Sequence, residues 1–217
     1  MPGTTKLSAQ DAVLRDSCRN KCRNKTRQQK QNKVNISIKN IIKKGEKMAQ
    51  HKEQRVGVFV DVQNLYYSAR HLYNSKVNFR EVLKTAVAGR RLLRAFAYVI
   101  KADVADENNF FDALGNFGYE VRAKDLQTFI GGAKKGDWDI GIAMDAIELA
   151  PKLDVAVIVS GDGDFVPLVK HLQHALGCRV EGISFGKSTA GKLREEVDDF
   201  TDLDTNVKKY LLPSGKR

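Results

Sequence analysis

From residue 56 onward, short β-branched runs alternate with longer segments of helical period. VGVFVDV, residues 56–62, is apolar almost throughout, as in a strand buried on both faces. QNLYYSARHLY (63–73) and FREVLKTAVA (79–88) carry a helical period, and Gly89 supplies a stop. LLRAFAYVI (92–100) is a second strand, ADENNFFDALGNF (105–117) an amphipathic helix terminated by Gly118, and YEVRAKDL (119–126) a third strand. The loop FIGGAKKGDWD (129–139) leads into IGIAMDAIELA, a helix of small and apolar residues that ends at Pro151 and is expected to be well buried. DVAVIVS (154–160) is the fourth strand, FVPLVKHLQHAL (165–176) a helix with Pro167 in its first turn, and CRVEGISF (178–185) the fifth strand. The amphipathic piece STAGKLREEVDDF then leads to a short run, TDLD, and a basic end. Strands separated by helices need crossover connections, so the pattern predicts a three-layer α/β domain with a mainly parallel five-stranded sheet. Such sheets bind ligands at the carboxyl ends of their strands.

Charge changes the picture only for one end of the chain. Residues 1–55 hold 15 Lys or Arg against 4 Asp or Glu, which accounts for the whole net charge of +11. The remainder balances 22 basic against 22 acidic side chains. Basicity therefore argues for salt-sensitive, sequence-blind attraction to a polyanion by the tail alone. CRNKCRNKTRQQKQNK (18–33) has no apolar period and is expected to be disordered. The abrupt composition change makes Met48 a candidate translation start. The domain division expected is a basic extension over 1–54, a globular domain over 55–204 and a basic tail over 205–217. Cys18, Cys22 and Cys178 offer neither an even disulfide set nor a second zinc-ligand pair, which fits reduced thiols in a cytoplasmic protein. No apolar run approaches the about 18 residues of a membrane span.

The candidate chemistry lies at strand ends. Asp61 closes the first strand, Asp162 and Asp164 follow the fourth, and Asp139 opens the apolar helix. If strands one and four are neighbours, the four carboxylates converge on one edge. Such a cluster is costly by itself and stable around a hard cation, so Mg²⁺ or Mn²⁺ is the expected cofactor. Gly161 and Gly163 would let backbone approach a ligand and permit positive φ. Ser160 and Asn64 are candidates to hold carboxylates or a phosphate, Lys134 and Lys135 to meet phosphate as point charges, and Trp138 or Tyr66 to stack on a base. Each has a structural alternative: aspartates after strands cap helices, Asn64 suits a turn, the lysines suit a solvated loop, and Trp138 suits the core. His171 and His174 lack a visible orienting carboxylate and are expected on the surface.

VFVDVQN, KGDWDIGIAMDAIELA and VSGDGDFVPLV, in this order and separation, resemble the LabA-like branch of the NYN domains, in the PIN-like nuclease superfamily. The resemblance covers roughly residues 55–203 and leaves the basic tail unexplained. It implies a Rossmann-like PIN fold and a metal-dependent endoribonuclease-like hydrolase with RNA as partner. Its acids fall on Asp61, Asp139, Asp162 and Asp164, its first-motif asparagine on Asn64, and its lysine before the second acid on Lys135. The loop carries an extra acid, Asp137, which competes with Asp139 for the metal-facing position. Asp139 is preferred, and Asp145 is expected to turn elsewhere. A haloacid-dehalogenase-like phosphohydrolase needs a second aspartate where Gln63 stands, and a glycosyltransferase would leave Asp61 idle. A binding module that regulates through RNA or a protein partner, without turnover, keeps the same acids. A homodimer is compatible with the sequence. Removal of residues 1–47 is expected to flatten the salt dependence of RNA affinity while sparing metal-dependent cutting, as titration across about 50–300 mM salt will measure.

Overall fold

The computed structural model describes residues 51–101, 107–125, 127–128, 134–135 and 137–212. The basic extension, with Cys18, Cys22 and Met48, lies outside the described residues.

Strand β1 (Arg55–Asp61) leads into helix α1 (Val62–Tyr73) and then α2 (Phe79–Val87). Next come β2 (Arg91–Lys101), α3 (Glu107–Phe117) and β3 (Glu120–Asp125). A small antiparallel hairpin, β4 (Gln127–Thr128) with β5 (Lys134–Lys135), precedes α4 (Asp139–Leu149). The chain continues through β6 (Val155–Val159), α5 (Val166–His174), β7 (Arg179–Ser184), α6 (Gly191–Glu196), β8 (Asp199–Asp202) and α7 (Val207–Tyr210). The main sheet has six strands in the order β3-β2-β1-β6-β7-β8, and every pairing is parallel.

The continuous apolar runs of β1, β2 and β6 divide by period 2 between two cores. Val56, Val58 and Val60 face the core built with α1, α2 and α3, together with Ala95, Ala97, Val155, Val157 and Val159. Phe59, Phe96, Tyr98, Ala156 and Ile158 face the core built with α4, α5 and α6. Gly118, at φ +102°, adopts the left-handed conformation that releases α3 toward β3, as its position predicts.

Two expectations need correction. The sheet has six strands and not five, because Asp199–Asp202 pairs with β7. That edge strand carries no apolar alternation, and backbone hydrogen bonds define it, so hydropathy passes over it. Helix α4 is only partly buried. Ile142, Ala146 and Leu149 enter the core, whereas Ile140 is 76% and Met144 61% exposed. The chain also stays packed beyond residue 204: Tyr210 is buried, its carbonyl accepts from Asn78 N–H at 2.7 Å, and Leu211 bridges to Val77. Among the described residues, no helix is long and apolar enough to cross a membrane. Cys178 is buried, which pushes its thiol up to about 11.

At the amino end of the sheet, buried Arg90 donates from Nη1 and Nη2 to the two Glu181 oxygens, each at 2.8 Å. Nη2 also donates to the Ala86 carbonyl and Nε to the Val87 carbonyl. Glu181 also accepts from Arg179 Nε at 3.3 Å, so the two removals are unequal. Glu181→Leu leaves Arg90 buried without a carboxylate and is expected to lower the unfolding free energy by about 3–5 kcal/mol in urea titration, Arg90→Leu to cost less because Arg179 remains on Glu181, and the double replacement to cost less than the sum.

Candidate metal centre

The topology brings the acids together because β1 and β6 are neighbours, in register from Val56↔Val155 to Val60↔Val159. The two strands end side by side where the sheet order reverses, and their following loops share one crevice. Asp61 leaves β1 there, and Ser160 to Asp164 leave β6.

Asp61 caps α1, its Oδ1 accepting from Asn64 N–H at 3.0 Å. Asp162 caps the turn Gly163–Phe165, its Oδ1 accepting from Asp164 N–H at 2.9 Å. Each cap uses one carboxylate oxygen, so capping does not preclude a ligand role for the other. Ser160, 1% exposed, ties the two acids: its hydroxyl donates to Asp61 Oδ2 at 3.4 Å and accepts from Asp162 N–H at 3.2 Å. The side-chain carbonyl of Asn64 accepts from Gly161 N–H at 2.9 Å, pinning the α1 start to the β6 loop.

Asp139 is the first residue of α4, whose preceding Trp138 makes no side-chain cap. Asp139, Asp162 and Asp164 each offer an oxygen within 4.8 Å of the others. Asp61 lies outside that trio and couples to it electrostatically: burial foremost, with the Asp139 and Asp162 charges adding, pushes its carboxyl up to about 6. Asp139 is raised too, by desolvation and then by Asp162, Asp137 and Asp164. Asp137 lies outside the trio and adds to the charge that Asp139 feels. Asp139 and Asp162 are half-buried and Asp164 is exposed, and oxygens of one sign in such proximity suit a hard dication.

Gly161 and Gly163 lie in close contact with the 188–190 segment. A Cβ at Gly161 would come within 3.1 Å of the Ser188 carbonyl, and one at Gly163 within 3.1 Å of Ala190 Cβ. Gly161 carbonyl also accepts from Ala190 N–H at 2.9 Å. Neither glycine has the positive φ that the sequence allowed. Trp138 is a core residue, its indole N–H donating to the Val99 carbonyl at 2.7 Å and its ring against Tyr98. Asp145 turns elsewhere, accepting from Tyr98 OH at 2.8 Å. Tyr66 is 36% exposed and accepts from Arg70 at 3.0 Å. His171 and His174 are exposed on α5. The side chains of Lys134 and Lys135 lie outside the described residues.

The sequence pattern missed Lys124, whose charge lowers Asp139 and whose ammonium donates to the Asp137 carbonyl. Its signal was available: Lys124 stands at the carboxyl end of β3, the end at which the other strands deliver their acids.

The raised Asp61 carboxyl has a pH signature. Its folded pKa of about 6 exceeds the ordinary 3.8. Below 3.8 both states are protonated and nothing is lost, between 3.8 and 6 stability falls as pH rises, and above 6 the full penalty stands. In chelator, Asp61→Asn is expected to be more stable than the parent by about 1–3 kcal/mol above pH 6, the gain vanishing near pH 4 in urea titrations.

The chain is 27% identical over 172 residues to the low amplitude and bright protein LabA of Synechococcus elongatus, covering 72% of this chain and 87% of that protein. It superposes on the crystal structure of a protein of unknown function from Vibrio parahaemolyticus with a TM-score of 0.69 at 33% identity, covering 76% of this chain and 100% of that one. The NYN domain family model matches residues 55–204, and the chain belongs to the NYN domain family.

Proposed function

We propose that this chain is a metal-dependent ribonuclease hydrolysing RNA phosphodiester bonds. The observation that carries the proposal is the trio Asp139, Asp162 and Asp164, with oxygens within 4.8 Å of one another at the sheet's reversal point. NYN membership in the PIN-like nuclease superfamily supports the same activity.

The donor set fits Mg²⁺ or Mn²⁺: all oxygens, all acidic, with burial first and the neighbouring acids second raising Asp61 and Asp139. Asp139, Asp162 and Asp164 would hold the ion, with Asp61 as the fourth carboxylate. When bound, the dication supplies Lewis-acid polarisation of the phosphodiester and lowers the pKa of water. The protein's own work is placement. Asp61, held by Asn64 N–H and Ser160, is poised to accept the proton of the attacking water. Ser160 keeps the Asp61 carboxylate in a fixed relation to the Asp162 backbone. Asn64 and the 188–190 segment keep the Gly161–Asp164 loop from relaxing as charge builds up.

Incubation with labelled RNA, in metal and in chelator, tests the proposal. Metal-dependent cleavage is expected, with a loss of about 100-fold or more in Asp162→Asn and Asp61→Asn at unchanged folding. Equal cutting by these variants would place the activity elsewhere. RNA binding that survives chelation without turnover would instead make the domain a regulatory module, and phosphate release from small monoesters a phosphohydrolase.

A further inference from the structure

The α4-facing side of edge strand β3 presents Arg122 and Lys124, two residues apart. Both cations are seated on aromatic rings. Lys124 Nζ lies 4.8 Å from the centre of the Trp138 ring and donates to the Asp137 carbonyl. Arg122 lies 5.3 Å from the centre of the Phe96 ring, with Nε 3.9 Å from Asp145, beyond hydrogen-bond range. The rings are themselves fixed, Trp138 by its bond to Val99 and Phe96 by burial in the core. An ammonium has three protons and a guanidinium five, so each seat leaves donors for a ligand. Same-face residues of a strand stand about 6.6–6.8 Å apart, comparable to successive phosphates of an extended nucleic-acid strand.

We propose that β3 is the track for the phosphodiester backbone of single-stranded RNA, with Lys124 taking the phosphate at the carboxylate trio and Arg122 the adjacent one. The inference rests on the ribonuclease reading and adds where the substrate lies. A polyanion approaching four acids is repelled, and the globular part has no surplus of positive charge to offset this at long range. Cations held beside the acids supply the attraction locally. The basic extension attracts RNA but does not select the linkage that reaches Asp139. A competing explanation is that charges on an edge strand only guard it against pairing with another chain.

Fluorescence anisotropy with a short labelled oligouridylate distinguishes them, using the full chain in Ca²⁺ to suppress turnover and salt from about 50 to 300 mM. Lys124→Met and Arg122→Met are each expected to weaken binding about tenfold and to reduce the log–log salt slope by about 0.7, and the double variant by about 1.4. Lys124→Arg retains the slope, and Lys84→Met, on α2, leaves affinity and slope at the parent's values. An oligonucleotide with uncharged methylphosphonate linkages is expected to weaken the parent's binding and to erase the difference between parent and variants, a readout that does not depend on how a variant folds. Parent-like slopes in both methionine variants overturn the track while leaving the ribonuclease reading intact. Aggregation of the variants with unchanged slopes assigns the charges to edge protection and also overturns it. A parent that neither binds nor cuts RNA removes the ribonuclease reading as well.

Discussion

Repulsion among carboxylates gathered at one rim is the constraint around which the rest of this domain is arranged. Parallel pairing of β1 with β6 leaves Asp61 and Ser160 side by side, and the turn into α4 adds Asp139. Hydrogen bonds offset part of the cost, since Asn64 N–H, Asp164 N–H and the Ser160 hydroxyl all point at carboxylate oxygens. They do not offset all of it: desolvation foremost, and the neighbouring carboxylates after it, hold Asp61 and Asp139 above the ordinary carboxylate range. A fold optimised for stability alone would disperse these charges. Their retention in one place is what gives the rim its capacity for a dication.

Rigidity around the rim comes from neighbouring loops. The Gly161–Asp164 segment is braced from one side by Asn64 and from the other by Ser188–Ala190. The latter is itself anchored, Ser188 hydroxyl donating to Ser68 on α1 and Thr189 hydroxyl to the Phe185 carbonyl. Farther out, Asp202 accepts from Gly186 N–H and Arg194, while Asp204 accepts from Lys187 N–H and from Tyr73. The late edge strand and the turn after it thus hold the loop that supports the acids, so a segment without apolar pattern contributes to the site through hydrogen bonds.

The glycines of Ser160-Gly161-Asp162-Gly163-Asp164 show how one residue type serves different ends. Their spacing suggested room for a ligand, and the space a side chain would fill at each lies against the 188–190 segment. The absence of a side chain lets two loops approach closely enough to lock. Trp138 is comparable: its position beside Asp139 suggested a stacking face, yet its indole N–H and ring are spent on the core, where they support Lys124.

Hydropathy along the chain determined the central strands and the helices to within a residue or two at most ends, because strands buried on both faces leave uninterrupted apolar runs and helices leave a period that only burial imposes. It also singled out the acids, since a charge ending an apolar strand is conspicuous in one dimension. Tertiary structure alone decided the rest. Whether Asp61 meets the β6 loop depends on strand order, a long-range pairing that no local pattern encodes. The sixth strand exists through backbone pairing with β7 and not through its side chains. Ile140 and Met144 of α4 face outward although both are apolar, because burial requires a neighbouring element and composition cannot supply one. Lys124 joins the site for the same reason: its neighbours Asp137 and Trp138 are remote from it until the chain turns back beside β3.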